Sequence, residues 1–230
     1  MKKIHPDVEM LQIIAKALGE LKDQMTFVGG AITTLFIDDE ASPDSISTVD
    51  IDCTLELKSA LDFEKLENAL SKRGFKHPQN EEDTPICRWM YGSIMVDIMP
   101  SDPQYLGFSN IWYPEGIANR VQVELPSGES IYIFSLAYFI ATKIEAVKNR
   151  GGNDLRFSHD FEDIVLVLSG CTGAVLLMEL VSVKLESYFK KEFKLLMKNT
   201  SFEEAVESAL FRKGESTSRS KWVMDFFKNY

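Results

Sequence analysis

The segment "STVDIDCTLEL", residues 47–57, constrains the fold more than any other. Val49, Ile51, Cys53, Leu55 and Leu57 alternate with Asp50, Asp52, Thr54 and Glu56. A period of two marks a strand with one apolar and one polar face. Asp50 and Asp52 therefore share a face, with Cα atoms about 6.6 Å apart at a rise of roughly 3.3 Å per residue. Two carboxylates held in parallel repel each other unless a cation sits between them. The same tripeptide also occurs at strand edges and turns, where it needs no metal.

A third acid, Asp97, stands in "SIMVDIMP", among Ile94, Val96 and Ile98. An unpaired charge on so apolar a strand is costly. Three carboxylates on neighbouring strands make a hard-oxygen site suited to Mg²⁺ or Mn²⁺. Two such ions can clamp the attacking and leaving oxygens of a phosphoryl transfer. Upstream, Gly29 and Gly30 end the apolar run "MTFVGG" and precede "AITTLFID". Lacking Cβ atoms, they let the backbone approach a ligand, and the amides of a following helix can face an anion such as a triphosphate. A tight strand-to-helix turn would use the same glycines.

Periodicity predicts an amphipathic helix over 7–24, a strand over 25–30, a helix over 31–38 and an acidic loop over 38–47. After the aspartate strand it predicts a helix over 62–75 ended by Gly74, then a loop at 79–85. Hairpins follow, turning at Gly92 and at Pro126-Ser127-Gly128. From Leu136 the pattern is helical: 136–149, 159–169, 174–198, 202–211 and 218–228. Ser201 and Glu204 have the spacing of a capping box. The class is α+β, with a mixed sheet and flanking helices in a subdomain over 1–135 and a helical bundle over 136–230.

The chain has 230 residues, 45% of them hydrophobic and 26% charged, enough for one compact domain or two small subdomains. The net charge of −10 is uneven: residues 171–230 hold ten Lys/Arg and eight Asp/Glu, a balance of +2, which leaves −12 on the rest. An acidic front half argues against non-specific nucleic-acid binding by bulk field and suits the collection of divalent cations. Cys53, Cys87 and Cys171 form no C-x-x-C pair, which fits a reducing, cytoplasmic setting. The segment "MKKIHPDVEM" lacks the apolar core of a signal peptide. The longest uncharged run, Ile164 to Met178, is too short to span a membrane, so no membrane partner is expected.

Val28-Gly29-Gly30, Asp50-Ile51-Asp52 and Asp97 together resemble the signature of the nucleotidyltransferase superfamily that includes DNA polymerase β. The chain departs from it twice. The stretch from Gly30 to Asp50 is longer, and the arginine many relatives carry before D-x-D is replaced by Ser45-Ile46-Ser47.

The later segment "ATKIEAVKNRGGNDLRFSHDFEDIVLVL" narrows the likeness. Phe139, Ile140, Ala146 and Val147 flank Lys143 at helical spacing, so its amine rises from an apolar stripe. It needs a triphosphate or a carboxylate as partner, or else snorkels to water. Ser158 reads as an N-cap, with Asp160, Glu162 and Asp163 favouring the helix dipole and His159 at the surface. Lys143-x-x-Ala146, Arg150, His159-Asp160 and Asp163 are similar to the pattern of AbiEii/AbiGii-type nucleotidyltransferase toxins, with His159 where Arg or Lys is usual.

That resemblance implies a Mg²⁺- or Mn²⁺-dependent transfer of NMP from an NTP to an acceptor hydroxyl. The acceptor would be RNA, such as tRNA, or protein, and a cognate antitoxin would be a partner. Asp50, Asp52 and Asp97 would hold metal, with Asp97 also acting as base. Gly29 and Gly30 would cradle phosphates, Lys143 would neutralise the triphosphate, and Asp160 would orient Lys143 or the acceptor. An inactive nucleotide-binding protein of the same fold is one alternative. Another is a haloacid-dehalogenase-type phosphatase with Asp50 as nucleophile, since Asp50–Thr54 reads D-x-D-x-T.

Overall fold

The computed structural model describes residues 4–43, 45–57, 59–78, 85–107, 109–150, 153–179, 181–211 and 216–230. Most of the predicted loop at 79–85, and the glycines at 151–152, lie outside these. The fold is α+β. The chain divides into two compact units, Met1–Ile32 with Ser47–Ser135, and Thr33–Ile46 with Leu136–Tyr230. Among the described residues, no helix is long and apolar enough to cross a membrane.

In the first unit α1 (Pro6–Leu18) buries Val8, Leu11, Ile14, Ala15 and Leu18, while Leu21, expected on the same stripe, lies beyond the helix and is only half-buried. It stops earlier than periodicity suggests. Gly19 takes φ 54° and its N–H donates to the carbonyls of Ala15 and Lys16, closing the helix. A 3-10 turn, Gly19–Gln24, completes the predicted span. Strand β1 (Thr26–Val28) follows, fully buried, and then a 3-10 turn, Gly30–Ile32. The short α2 (Thr33–Phe36) belongs to the second unit.

β2 (Asp50–Leu55) is shorter than the alternating run, and Val49, expected on the buried face, is 72% exposed ahead of it. α3 (Ala60–Lys72) is capped by Ser59, whose side chain accepts from the N–H of Asp62. β3 (Arg88–Tyr91) and β4 (Ile94–Pro100) form the predicted hairpin, with Gly92 at φ 60° in its turn. The short helices α4 (Pro103–Leu106) and α5 (Tyr113–Ala118) carry no strong periodic signal. The second hairpin pairs β5 (Val121–Glu124) with β6 (Ser130–Ile133). The six strands form one mixed sheet in the order β3-β4-β2-β1-β6-β5. β2 runs parallel to β4 and antiparallel to β1, so the aspartate strand is interior and its neighbours are fixed on both sides.

The second unit is helical. α6 (Leu136–Arg150) is buried along most of its length, and α7 (His159–Gly170) on nearly every side. The predicted helix over 174–198 is two: α8 (Ala174–Glu179) and α9 (Val183–Met197). Ser182 separates them, its hydroxyl accepting from the N–H of Leu185 at 3.2 Å, a cap that starts a new helix. α10 (Phe202–Leu210) and α11 (Ser216–Asn229) complete the bundle. The capping box at Ser201 does not form. Its hydroxyl accepts from the N–H of Leu155 at 2.9 Å and donates to Asn199 at 2.7 Å, while Glu204 accepts from Arg156 at 2.9 Å. The aromatic core is Phe161, Phe189, Phe193, Phe202 and Phe227, with Phe193 and Phe227 centred 4.5 Å apart.

The acidic loop is tied to the end of α7. The N–H groups of Asp38 and Asp39 both donate to the Gly170 carbonyl at 3.0 Å. The Asp38 carboxylate accepts from the N–H and hydroxyl of Thr172 at 2.8 Å each, and Arg219 reaches Asp39 at 2.6 Å. The Thr172 N–H holds the Asp38 carboxyl below its ordinary range.

Lys143 is the charged centre of this unit. Its Nζ donates to Asp160 at 2.9 Å and pairs with Asp163 at 2.6 Å, with only 8% of the side chain exposed. Burial favours the neutral amine, but Asp163 and Asp160 outweigh it and keep the ammonium charged. Removing one partner of a buried ion group leaves uncompensated charge. Lys143→Met should therefore destabilise the protein by about 3–5 kcal/mol in urea unfolding, and adding Asp163→Leu should recover part of the loss.

Candidate functional site

The site is set by strand register. In the parallel pair β2/β4, Asp52 lies opposite Asp97 and Asp50 opposite Met95. Paired residues on neighbouring strands project from the same face, and so does the residue two positions back. Asp50, Asp52 and Asp97 thus converge, each offering a carboxylate oxygen within 4.8 Å of the others. At an effective dielectric of ~20, two unit charges that far apart repel by about 3 kcal/mol. The fold pays that only because something opposes it.

Among the described residues, Arg88 and Thr48 do so directly. Arg88, on β3 opposite Asp97, donates Nε to Oδ1 at 2.8 Å and Nη2 to Oδ2 at 2.7 Å. The same Nη2 is 3.9 Å from Oδ2 of Asp50. Such a two-pronged pair is short and directional. Asp97 raises the pKa of the guanidinium still further. The Thr48 hydroxyl donates to Oδ1 of Asp50 at 2.8 Å, and the Thr48 N–H donates to Oδ1 of Asp7 at 3.2 Å. Asp7 is fully buried, so the start of α1 anchors the residue that orients Asp50.

Gly29 completes the site from the residue after β1, whose Val28 pairs with Asp52. It takes φ 74°, and a Cβ there would meet Oδ2 of Asp52 at 2.1 Å. The missing side chain is the space the carboxylate occupies. Gly30 opens the 3-10 turn that follows.

The donor set fits a hard divalent cation. Mg²⁺ binds oxygen at about 2.1 Å, so opposite ligands sit at most ~4.2 Å apart. Oxygens within 4.8 Å of one another would converge on one ion by turning the side chains inward, or would bridge two ions. Burial pushes the thiol of Cys53 well up and that of Cys87 to about 11, so neither competes as a thiolate ligand.

Of the residues singled out from sequence, Asp50, Asp52, Asp97 and Gly29 come together in the first unit. Lys143 and Asp160 are bonded to each other in the second. Ser158 caps α7 as expected, accepting from the N–H of Phe161 at 3.2 Å. His159 is exposed, with Glu162 at 3.6 Å. The phosphatase alternative needs an apolar strand leading into Asp50, whereas Asp50 opens β2 behind the exposed Val49. Arg88, Thr48 and Asp7 were not singled out. For Arg88 the signal was available: the hairpin pairs Tyr91 with Ile94, and three steps outward on each strand reach Arg88 and Asp97.

No family model and no curated protein matches the sequence. Solved structures do. An antigenic nucleotidyltransferase-like protein from Paracoccidioides brasiliensis superposes with a TM-score of 0.56 over 89% of this chain and 96% of that one, at 18% identity. The solution structure of the antibiotic-resistance factor ANT(2'')-Ia gives 0.50 over 83% and 94%, at 15% identity. The chain has the nucleotidyltransferase fold. At these identities the likeness concerns the fold alone, so activity rests on the residues of the site.

Gly29→Ala tests how closely this nucleotidyltransferase fold is fitted around Asp52. A side chain at positive φ, aimed into a carboxylate, should cost about 1–3 kcal/mol in urea unfolding. It should also remove any stabilisation by Mn²⁺ in thermal melts.

Proposed function

We propose that the protein is a divalent-metal-dependent nucleotidyltransferase, which moves a nucleoside monophosphate from an NTP to an acceptor hydroxyl. The observation that carries this reading is the convergence of Asp50, Asp52 and Asp97 on adjacent strands, with Gly29 making room for the middle carboxylate. Asp50, Asp52 and Asp97 would hold Mg²⁺ or Mn²⁺. A divalent ion so held supplies charge stabilisation at the phosphoryl oxygens. Asp97, anchored by Arg88, would take the proton of the acceptor hydroxyl. Gly29 and Gly30 would let the backbone approach the phosphates. Lys143, oriented by Asp160, is assigned to the triphosphate on its motif alone. The same motif supports an AbiEii/AbiGii-type toxin, with RNA or protein as acceptor and an antitoxin as partner.

One observation favours a second reading, a protein that binds nucleotide without transferring it. The guanidinium of Arg88 already neutralises Asp97, so the acids are partly balanced without metal.

Labelled NTPs incubated with total tRNA and cell lysate separate the two. The transferase reading expects label on an acceptor only with Mg²⁺ or Mn²⁺, and none with Asp50→Ala/Asp52→Ala that still folds by circular dichroism. NTP binding without transfer supports the second reading. Transfer that survives the double substitution ends the first.

A further inference from the structure

Arg88 is placed with more care than a surface arginine requires. Its backbone N–H donates to the Pro85 carbonyl at 2.9 Å, and its own carbonyl lies 3.0 Å from Nδ1 of His77. The His77 ring packs on Trp89, the next residue, with centroids 3.8 Å apart. Met90 exchanges backbone hydrogen bonds with Lys76, at 2.7 and 3.0 Å. β3 is therefore clamped on both sides, and Arg88 is aimed from it across the ladder. Both oxygens of Asp97 are engaged by Arg88, and Asp50 is within 3.9 Å of the same nitrogen.

We infer that Arg88 is the built-in counter-ion of the acidic cluster: it keeps Asp97 in register without metal, and it sets the threshold for divalent binding because an ion must take an Asp97 oxygen from it. This rests on the reading of the three acids as a metal site, and it adds a positioning residue that the D-x-D pattern does not contain. The physical ground is competition for lone pairs. A carboxylate with both oxygens in a guanidinium fork has less to offer a cation, and the fixed positive charge repels the incoming one. Lysine keeps the charge but cannot form the fork.

The test is Mn²⁺ binding by the full-length protein without nucleotide, read as the loss of the free Mn²⁺ paramagnetic resonance signal. It compares wild type, Arg88→Gln, Arg88→Lys and Asp50→Ala/Asp52→Ala. Arg88→Gln should bind Mn²⁺ roughly tenfold more tightly than wild type. Arg88→Lys should fall between them. Without metal, Arg88→Gln should melt at a lower temperature than wild type, and saturating Mn²⁺ should close that gap. Equal or weaker Mn²⁺ binding by Arg88→Gln, in protein whose circular dichroism matches wild type, overturns the role given to Arg88 and leaves the metal site standing. If Arg88→Gln does not fold, Arg88→Lys decides alone: binding no tighter than wild type overturns the proposal. Wild-type protein whose Mn²⁺ binding is unaffected by Asp50→Ala/Asp52→Ala overturns the metal site and the Arg88 role together.

Discussion

The structure turns on mutual repulsion held in check. Strand register forces the carboxylates of Asp50, Asp52 and Asp97 within 4.8 Å of one another on an interior part of the sheet. Nothing in the backbone pairing of β2 and β4 requires acids there, and apolar residues at those positions would avoid the charge cost. The arrangement persists because its surroundings are shaped to it. Arg88 neutralises Asp97, Thr48 orients Asp50, and Gly29 leaves Asp52 the volume that any side chain would fill. Each comes from a different element, so the site integrates β1, the approach to β2, β3 and β4.

The second unit holds a buried charge group of a different kind. Lys143 faces Asp160 and Asp163, so cation and carboxylates satisfy one another inside a helical core. The sequence left a phosphate, a carboxylate and solvent open as partners for this amine. The structure supplies two carboxylates. The triad differs in its balance: three carboxylates converge beside Arg88, whereas Lys143 meets two.

Much of the fold was legible because period and chemistry agreed. Alternation at 51–55 and 94–99, and apolar stripes at 8–18 and 136–147, became the strands and helices expected. Errors fell where a local hydrogen bond beat periodicity. Gly19 ends α1 by turning to positive φ, Ser182 restarts a helix in the middle of a continuous pattern, and Ser201 uses its hydroxyl on Leu155 and Asn199 instead of a cap. In the site, the residues proposed to carry the chemistry were visible as motifs. Those that position them were not, because Asp7 and Thr48 meet across 41 positions of chain, a separation that no local pattern encodes. Arg88 could have been read from hairpin register once the turn was known.

The central claim is that these three carboxylates, held at β2 and β4, form one divalent-cation site. Diffraction from crystals soaked in Mn²⁺, measured at an anomalous wavelength, tests it most directly. The account predicts a strong peak about 2.1 Å from carboxylate oxygens of Asp50 and Asp52, with Asp97 bordering it. A peak elsewhere on the protein, or none beside these aspartates at saturating Mn²⁺, would contradict it.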